Sequence, residues 1–539
     1  MKFKKMTAMG LTAAMAVTML AGCGSSSSSD TSNGDSADSS EVVTITVFDK
    51  NSGSKTFDDE VAQKIMEETG VKLEIESPTG DPDEKLNLML TGQNYPDIVL
   101  IGQGELVTRY IEAGALLPLD EYLEDGTLDN VVEMYGDTLN KTKYSDGHNY
   151  WLANWYGEDP DPCSGVLMRR DILAEIVGEE RAYSSEPFTQ SEYVDILRQF
   201  KEMYPQIDGL DTIALSVVSS STGEFGGLKG MFGMKTYYEA EDGTLEYWVK
   251  DPQYMESMLM MNDLYNEGLL DKEWVVNKDE QWQQKLSGGY VFSTFGAYWD
   301  TDGINSTLQA TYGEDAGFYA YKVVADDLTA DQTTYNGRSS LGWDAIGITN
   351  NCQNVDAALR IMNYLASEEG QYLLLWGVEG EHWTIEDGKH VPNQEVYESL
   401  LADFDTVSNS TGIRKWTWFI KNGEGSDGTP YDLSTKYQLT ETAQFANDAF
   451  DDTDNWDTAD YSGLEPAGST TIGLEWQKVA DILSQNYSAI VNAPSHEEAQ
   501  AVYDSMLAQM EDAGLAECEA YINEQYQARQ ELWYGADAE

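Results

Sequence analysis

Apolar residues recur along this chain at two periods, every second position and every third to fourth, and the switching between them predicts an ordered series of strands and helices. "VVTITVFDK" (42–50) is a β-branched run bounded by polar residues and predicts a buried strand. "FDDEVAQKIMEETG" places Phe57, Val61 and Ile65 four apart, a helix that Gly70 can close, and "VKLEIES" then alternates Val71, Leu73 and Ile75 with polar positions. Strand, helix, strand over about thirty-five residues implies a right-handed βαβ unit and a largely parallel sheet. A second helix through "DEKLNLMLTGQ" and a short strand in "YPDIVLIG", from Asp97 to Leu100, extend it. In open α/β sheets ligands gather at the carboxyl ends of strands, which singles out Asp49, Lys50, Gly102 and Gln103.

From about Arg170 the period becomes helical. "TQSEYVDILRQFKEMYP" carries Tyr193, Leu197 and Phe200 on one face, and "DPQYMESMLMMNDLYNEGLLD" carries Met258, Met261, Leu264 and Tyr265, both read as core-facing helices of a second lobe. "SLGWDAIGIT" (340–349) returns to strand character, and "NVDAALRIMNYLASEEGQYLLLW" predicts one long helix capped by Asn354. Three closing helices are expected after Ile472, and no repeat of solenoid length is present.

The first residues change the picture of where this body resides. Lys2, Lys4 and Lys5 precede an apolar stretch from Met6 to Leu20, too short to span a bilayer and flanked like a signal peptide. In "VTMLAGCGSSSSSD" (17–30), Leu20-Ala21-Gly22-Cys23 resembles a bacterial lipobox, which implies cleavage after Gly22 and acylation of Cys23. Residues 1–22 are then the lipoprotein signal peptide. Residues 23–40 form a Ser-rich tether with too little apolar surface to fold.

Net charge is −63, from 95 acidic and 32 basic residues. Such a field repels phosphate backbones, which excludes nucleic acid as a partner, and it holds the body off anionic lipid; it does not select a ligand. Of four cysteines, Cys163, Cys352 and Cys518 remain after lipidation of Cys23, widely spaced and odd in number, which implies no disulfide framework but leaves one bridge open.

Catalytic chemistry has little support. The four histidines fit no metal-binding spacing, and neither a GxSxG elbow nor a Walker A loop is present. "DDTDNWDTAD" (451–460) is dense in carboxylates but lacks the glycine and distal glutamate of an EF-hand, and is read as a solvated acidic loop rather than a calcium site. No cofactor or metal is expected. A secreted glycosidase needs only two carboxylates and stays open as an alternative, as does a receptor for peptides or cationic solutes, which the charge would suit.

The 14 tryptophans and 32 tyrosines are the positive signal. Several sit in polar stretches: "YWLANWYG", "FGAYWD", "GWDA", "GEHWT" and "RKWTWF". Sugar rings present an apolar C–H face to indole while their hydroxyls need polar neighbours, and Asn154-Trp155, Trp299-Asp300 and Trp343-Asp344 supply both.

"YPDIVLIG", "AGALLPLDEYLED", "MRRDIL", "YNEGLLDKEW", "ALRIMNYLASEEGQ" and "WGVEGEHWTIEDGK", in this order and behind a lipobox, resemble the family 1 extracellular solute-binding lipoproteins of carbohydrate ABC importers, in the large Gram-positive branch. The resemblance covers essentially the whole chain. It implies an α/β, two-lobed periplasmic-binding-protein-like fold (type II) with a ligand cleft between the lobes and extra C-terminal helices. Lobe one would comprise 41–155 and 338–392, and lobe two 156–337 and 393–539. It further implies a monomer, tethered by lipid to the extracellular face of the cell membrane, that hands a carbohydrate, an oligosaccharide, to ABC permease subunits and breaks no bond. By similarity to maltose-binding relatives, the contacts are Asp49, Lys50, Gln103, Asn154 and Trp155, with Trp299 stacking. Trp155 and Trp299 are expected to sandwich the sugar, with Asp300 beside them and Trp343 and Asp344 as further candidates. "QIDGLDTIALS" lacks the calcium ligands that alginate-binding relatives carry after the corresponding helix, which argues against an alginate-like ligand.

Overall fold

The structure is a computed structural model and describes residues 42–53, 55–157, 164–218, 226–437, 439–450 and 454–535. The signal peptide, the tether, Cys23 and Cys163 lie outside the described residues.

Two sheets carry the fold. The first orders its strands Val71–Glu76, Val43–Phe48, Ile98–Gly102, Asp344–Ile348 and Leu152–Ala153. The predicted βαβ unit is its start: Val43–Phe48 runs parallel to Val71–Glu76, with the helix Glu60–Thr69 between them in sequence. That helix begins where Asp59 accepts from the Ala62 N–H and ends at Gly70 with φ 65°, a left-handed conformation that glycine adopts without steric cost. Asp344–Ile348 enters antiparallel to its neighbours, so the sheet is mixed where a largely parallel one is expected. The reason is connectivity: after a long excursion through the second sheet, the chain comes back beside Ile98–Gly102 in the reverse sense.

The second sheet orders Ile213–Leu215, Val291–Ala297, Ser164–Arg169 and Phe318–Tyr321. Around it, the expected helices form at Gln190–Met203 and Pro252–Asn266. The first begins with a reciprocal capping box between Thr189 and Glu192; the second buries Met258, Met261 and Leu264. Each sheet has its own apolar core, one built around Ile45, Val99, Ile346 and Trp376, the other around Leu167, Phe292, Tyr193 and Met261.

Three local expectations change. The long helix from Asn354 is two helices, Val355–Ala366 and Glu368–Trp376, broken at Ser367, whose backbone is extended and whose hydroxyl accepts from the Gly370 N–H. Gly370 fits there because a Cβ would stand 2.1 Å from the Tyr364 carbonyl oxygen. Asn354 makes no side-chain cap. Residues 393–437, assigned by sequence to the second lobe, contribute Tyr397, Leu400, Trp416, Trp418 and Tyr431 to the first core. Trp416 and Trp418 stack at 4.6 Å, and the buried Lys415 ammonium pairs with Asp59 at 2.8 Å and donates to the Thr56 carbonyl. The closing helices are Thr471–Val491, His496–Asp512 and Leu515–Tyr534. The last is rooted at Leu515 in the second core, and its far end brings Trp533 against the first.

The described part of the acidic run, 454–460, is not a solvated loop. Asp454 is fully buried and pairs with the equally buried Lys322 at 2.7 Å. Asp457 holds Lys141 at 2.7 Å and accepts from the Ser340 N–H at 2.9 Å. These carboxylates lie beside the returning chain, where Asn336–Arg338 pairs with Asn455–Asp457. Cys352 and Cys518 are free and buried, their thiols pushed up to about 11 by burial, so these two form no bridge.

Candidate functional site

Topology gathers residues from distant parts of the chain at one edge of the first sheet. Asp49 follows the strand Val43–Phe48, Gln103 follows Ile98–Gly102 and Asn154 follows Leu152–Ala153; Asp344, opening an antiparallel strand, lies opposite Gly102. Asp49, Lys50, Gln103, Asn154, Trp155, Trp343 and Asp344 therefore come together, as the rule for strand carboxyl ends anticipates.

Most of these polar groups bind one another. Asp344 is wholly buried; it pairs with Lys50 Nζ at 3.0 Å and accepts from Asn51 Nδ2 at 2.5 Å. Asp49 is buried too, accepting from the Asn51 N–H at 2.8 Å and from Trp418 Nε1 at 3.0 Å. Burial holds both carboxyls above the usual carboxylate range, against the pull of these donors. Asn154 Oδ1 accepts from the N–H groups of Trp343 and Asp344, and Gln103 Nε2 donates to the Leu341 carbonyl at 2.7 Å. The chemistry of this cluster is scaffolding: it fixes the turn that presents Trp343.

The turn itself needs a glycine. Gly342 has φ 65°, and a Cβ there would meet the Trp155 carbonyl oxygen at 2.5 Å and Asn154 Oδ1 at 2.8 Å. Held this way, Trp343 stacks on Trp155 with centroids 5.9 Å apart and planes 26° from parallel. Trp155 is further flanked by the Arg414 guanidinium at 5.8 Å, and its indole N–H donates to Asn422 Oδ1. The outer ring is open: Trp343 is 48 % exposed.

Trp299 and Asp300 stand apart from this group. They follow the strand Val291–Ala297 of the second sheet, where Asp300 accepts from the Ala297 N–H at 2.9 Å. Trp299 is 40 % exposed and touches Tyr298 at its edge, with the Arg338 guanidinium 5.1 Å from its centroid. Trp155 thus stacks directly on Trp343, while Trp299, expected to close on a sugar from the other side, lies at the end of a strand of the second sheet. Arg338 stands five positions before Trp343, so their backbones are at most about 18 Å apart. Next to Trp299, the protein mass desolvates Asp302 and, with Asp300 adding repulsion, pushes its carboxyl up to about 6.

Sequence reasoning did not name Asn51, Arg338, Arg414, Trp418 or Asn422. For Trp418 and Arg414 a signal existed, the polar-flanked "RKWTWF", but nothing local ties it to Trp155.

Two mixed sheets, several chain crossings between them, and open indoles on a pre-organised polar edge define a protein that binds a solute. The chain belongs to the bacterial extracellular solute-binding proteins, whose family model matches residues 60–376. It is a binding protein, not an enzyme. It is 22 % identical over 426 residues to lipoprotein LipO of Bacillus subtilis, covering 76 % of this chain and 80 % of that one. With the fructooligosaccharide ABC transporter substrate-binding protein FusA of Streptococcus pneumoniae it shares 24 % identity over 371 residues, 65 % of this chain and 63 % of that protein. Among solved structures, an extracellular solute-binding protein from Bifidobacterium longum subsp. infantis superposes with a TM-score of 0.66 at 18 % identity, covering 92 % of this chain and 99 % of that one. That likeness establishes the two-lobed α/β fold. Among the described residues, no helix is long and apolar enough to cross a membrane.

Proposed function

We propose that this protein captures an oligosaccharide outside the cell and delivers it to the permease of an ABC importer, working as a monomer anchored through acylated Cys23. The observation that carries the reading is the contrast among its 14 tryptophans: Trp299 and Trp343 alone are exposed, each on a polar-flanked turn at the end of a sheet. An exposed indole with fixed polar neighbours suits a sugar ring, which needs an apolar face and in-plane hydrogen bonds together. The similarity to FusA, a fructooligosaccharide ABC transporter substrate-binding protein, supports the same class of ligand. The lipobox and tether supply the anchor, and LipO is likewise a lipoprotein. Asp49, Asp344 and Asn154 act in this picture by holding the platform, while Trp343, Trp299, Asp300, Lys50 and the free oxygen of Gln103 face the sugar.

A thermal-shift panel of oligosaccharides, monosaccharides and short peptides against residues 41–539 tests it, because a ligand that binds only the native state raises the melting temperature. One oligosaccharide class is expected to do so, to be recovered intact by chromatography, and to bind equally at low and high salt. Stabilisation by peptides alone would overturn the reading, and shortened saccharides would replace it with a glycosidase.

A further inference from the structure

The chain has nine arginines, all within the described residues. Eight donate hydrogen bonds to carboxylate, amide or carbonyl oxygens. Arg338 is the exception: half-buried, it makes no hydrogen bond or ion pair among the described residues, and its guanidinium lies over the Trp299 ring at 5.1 Å. In a chain where carboxylates outnumber cations 95 to 32, a half-buried guanidinium without an ion pair among the described residues is conspicuous.

Arg338 is nonetheless firmly placed. Its backbone is in the ladder with Asp457, and two residues later Ser340 is held by the same carboxylate, which in turn holds Lys141. The guanidinium lies over one open indole, Trp299, and its backbone stands five positions before the other, Trp343. A guanidinium ordered this way presents a fixed fork of N–H donors matched to two neighbouring oxygens. Asp300 is close enough to act on it by charge without pairing, and Asp302 follows within the same turn. An anionic ligand group beside the guanidinium would meet the Asp300 carboxylate; a neutral polyol would meet only acceptors and donors.

Resting on the saccharide-receptor reading above, we infer that Arg338 contacts the ligand directly, as the donor of the subsite built on Trp299. This subsite takes a neutral sugar unit through two adjacent hydroxyl oxygens, with Asp300 accepting from a hydroxyl, and disfavours a uronic acid unit.

The test is calorimetric titration of the full chain, and of Arg338→Gln and Arg338→Lys, with neutral gluco-, galacto-, manno-, fructo- and xylo-configured trisaccharides and with trigalacturonate. At least one neutral trisaccharide is expected to bind the parent chain and trigalacturonate to bind more weakly. Arg338→Gln should weaken that neutral ligand by more than tenfold, and Arg338→Lys should recover only part of the loss, since an ammonium lacks the fork. Neither should lower the unligated melting temperature, because the guanidinium makes no hydrogen bond to the protein. Affinity within twofold of the parent in Arg338→Gln would remove Arg338 from the site, and tighter binding of trigalacturonate would overturn the neutral-sugar assignment; in both cases the receptor reading survives. Binding of no saccharide at all would defeat that reading and this inference with it.

Discussion

Truncating Trp343 separates a ligand platform from its support. A tryptophan side chain carries on the order of 250 Å². With 48 % of Trp343 exposed, about 120 Å² is open, and a pyranose lying on one face covers roughly half of it. At about 25 cal/mol per Å² the contact contributes about 1.5 kcal/mol, which is about a tenfold change in Kd. Trp343→Ala should therefore weaken ligand binding about tenfold in calorimetry and leave the urea midpoint almost unchanged, since the ring is outside the core. Trp155→Ala should behave differently. Its ring is flanked by Trp343 and Arg414, and its N–H serves Asn422, so its removal should cost about 3 kcal/mol of stability as well as affinity. Affinity within twofold of the parent for a folded Trp343→Ala protein would refute the platform. Equal loss of affinity in both variants with no loss of stability in Trp155→Ala would refute the division between face and support.

Two further expectations concern stability. Asp454→Asn should cost about 3–5 kcal/mol in urea unfolding, because it leaves the Lys322 ammonium charged and buried, whereas the double variant Asp454→Leu/Lys322→Met should recover much of that; a loss below about 1 kcal/mol in the single variant would count against a structural role for the acidic run. Asp427 is opposed by burial, but donors from His390 and from Thr429 together hold its carboxyl well below the usual range. A depressed folded-state value means stability that is fully present above the unfolded value near 4 and fades as pH falls below it. The stability difference between the parent and Asp427→Asn should accordingly shrink as pH falls below about 4; a difference that grows below that pH would reverse the sign.

What was legible in the sequence is what its neighbours in the chain determine. The helix Gln190–Met203 announces itself through Thr189 and Glu192, three residues apart, and Glu60–Thr69 through its apolar spacing and Gly70. The edge of the first sheet was legible for a similar reason, since each candidate there directly adjoins a predicted strand. The break at Ser367 was not, because an alanine- and leucine-rich period runs through it and only the packing of Gly370 against Tyr364 decides for two helices. Nor was the place of residues 393–437, whose anchors, Lys415 to Asp59 and Trp418 to Asp49, join positions 356 and 369 residues apart.

The acidic composition hid the site more effectively than any missing motif. With 95 carboxylates, no single aspartate is informative, and the run 451–460 reads as a solvated acidic loop although two of its described members, Asp454 and Asp457, serve lysines. The cations carry the information instead. Lys141, Lys322 and Lys415 each find a carboxylate within 2.8 Å, because an unpaired ammonium in a low-dielectric interior is too costly to keep. Those pairs mark three acids as structural: Asp457, Asp454 and Asp59 hold chain crossings and a helix start. By the same logic, Arg338, ordered on Trp299 and without an ion pair among the described residues, is the cation that the inferred subsite uses as its donor.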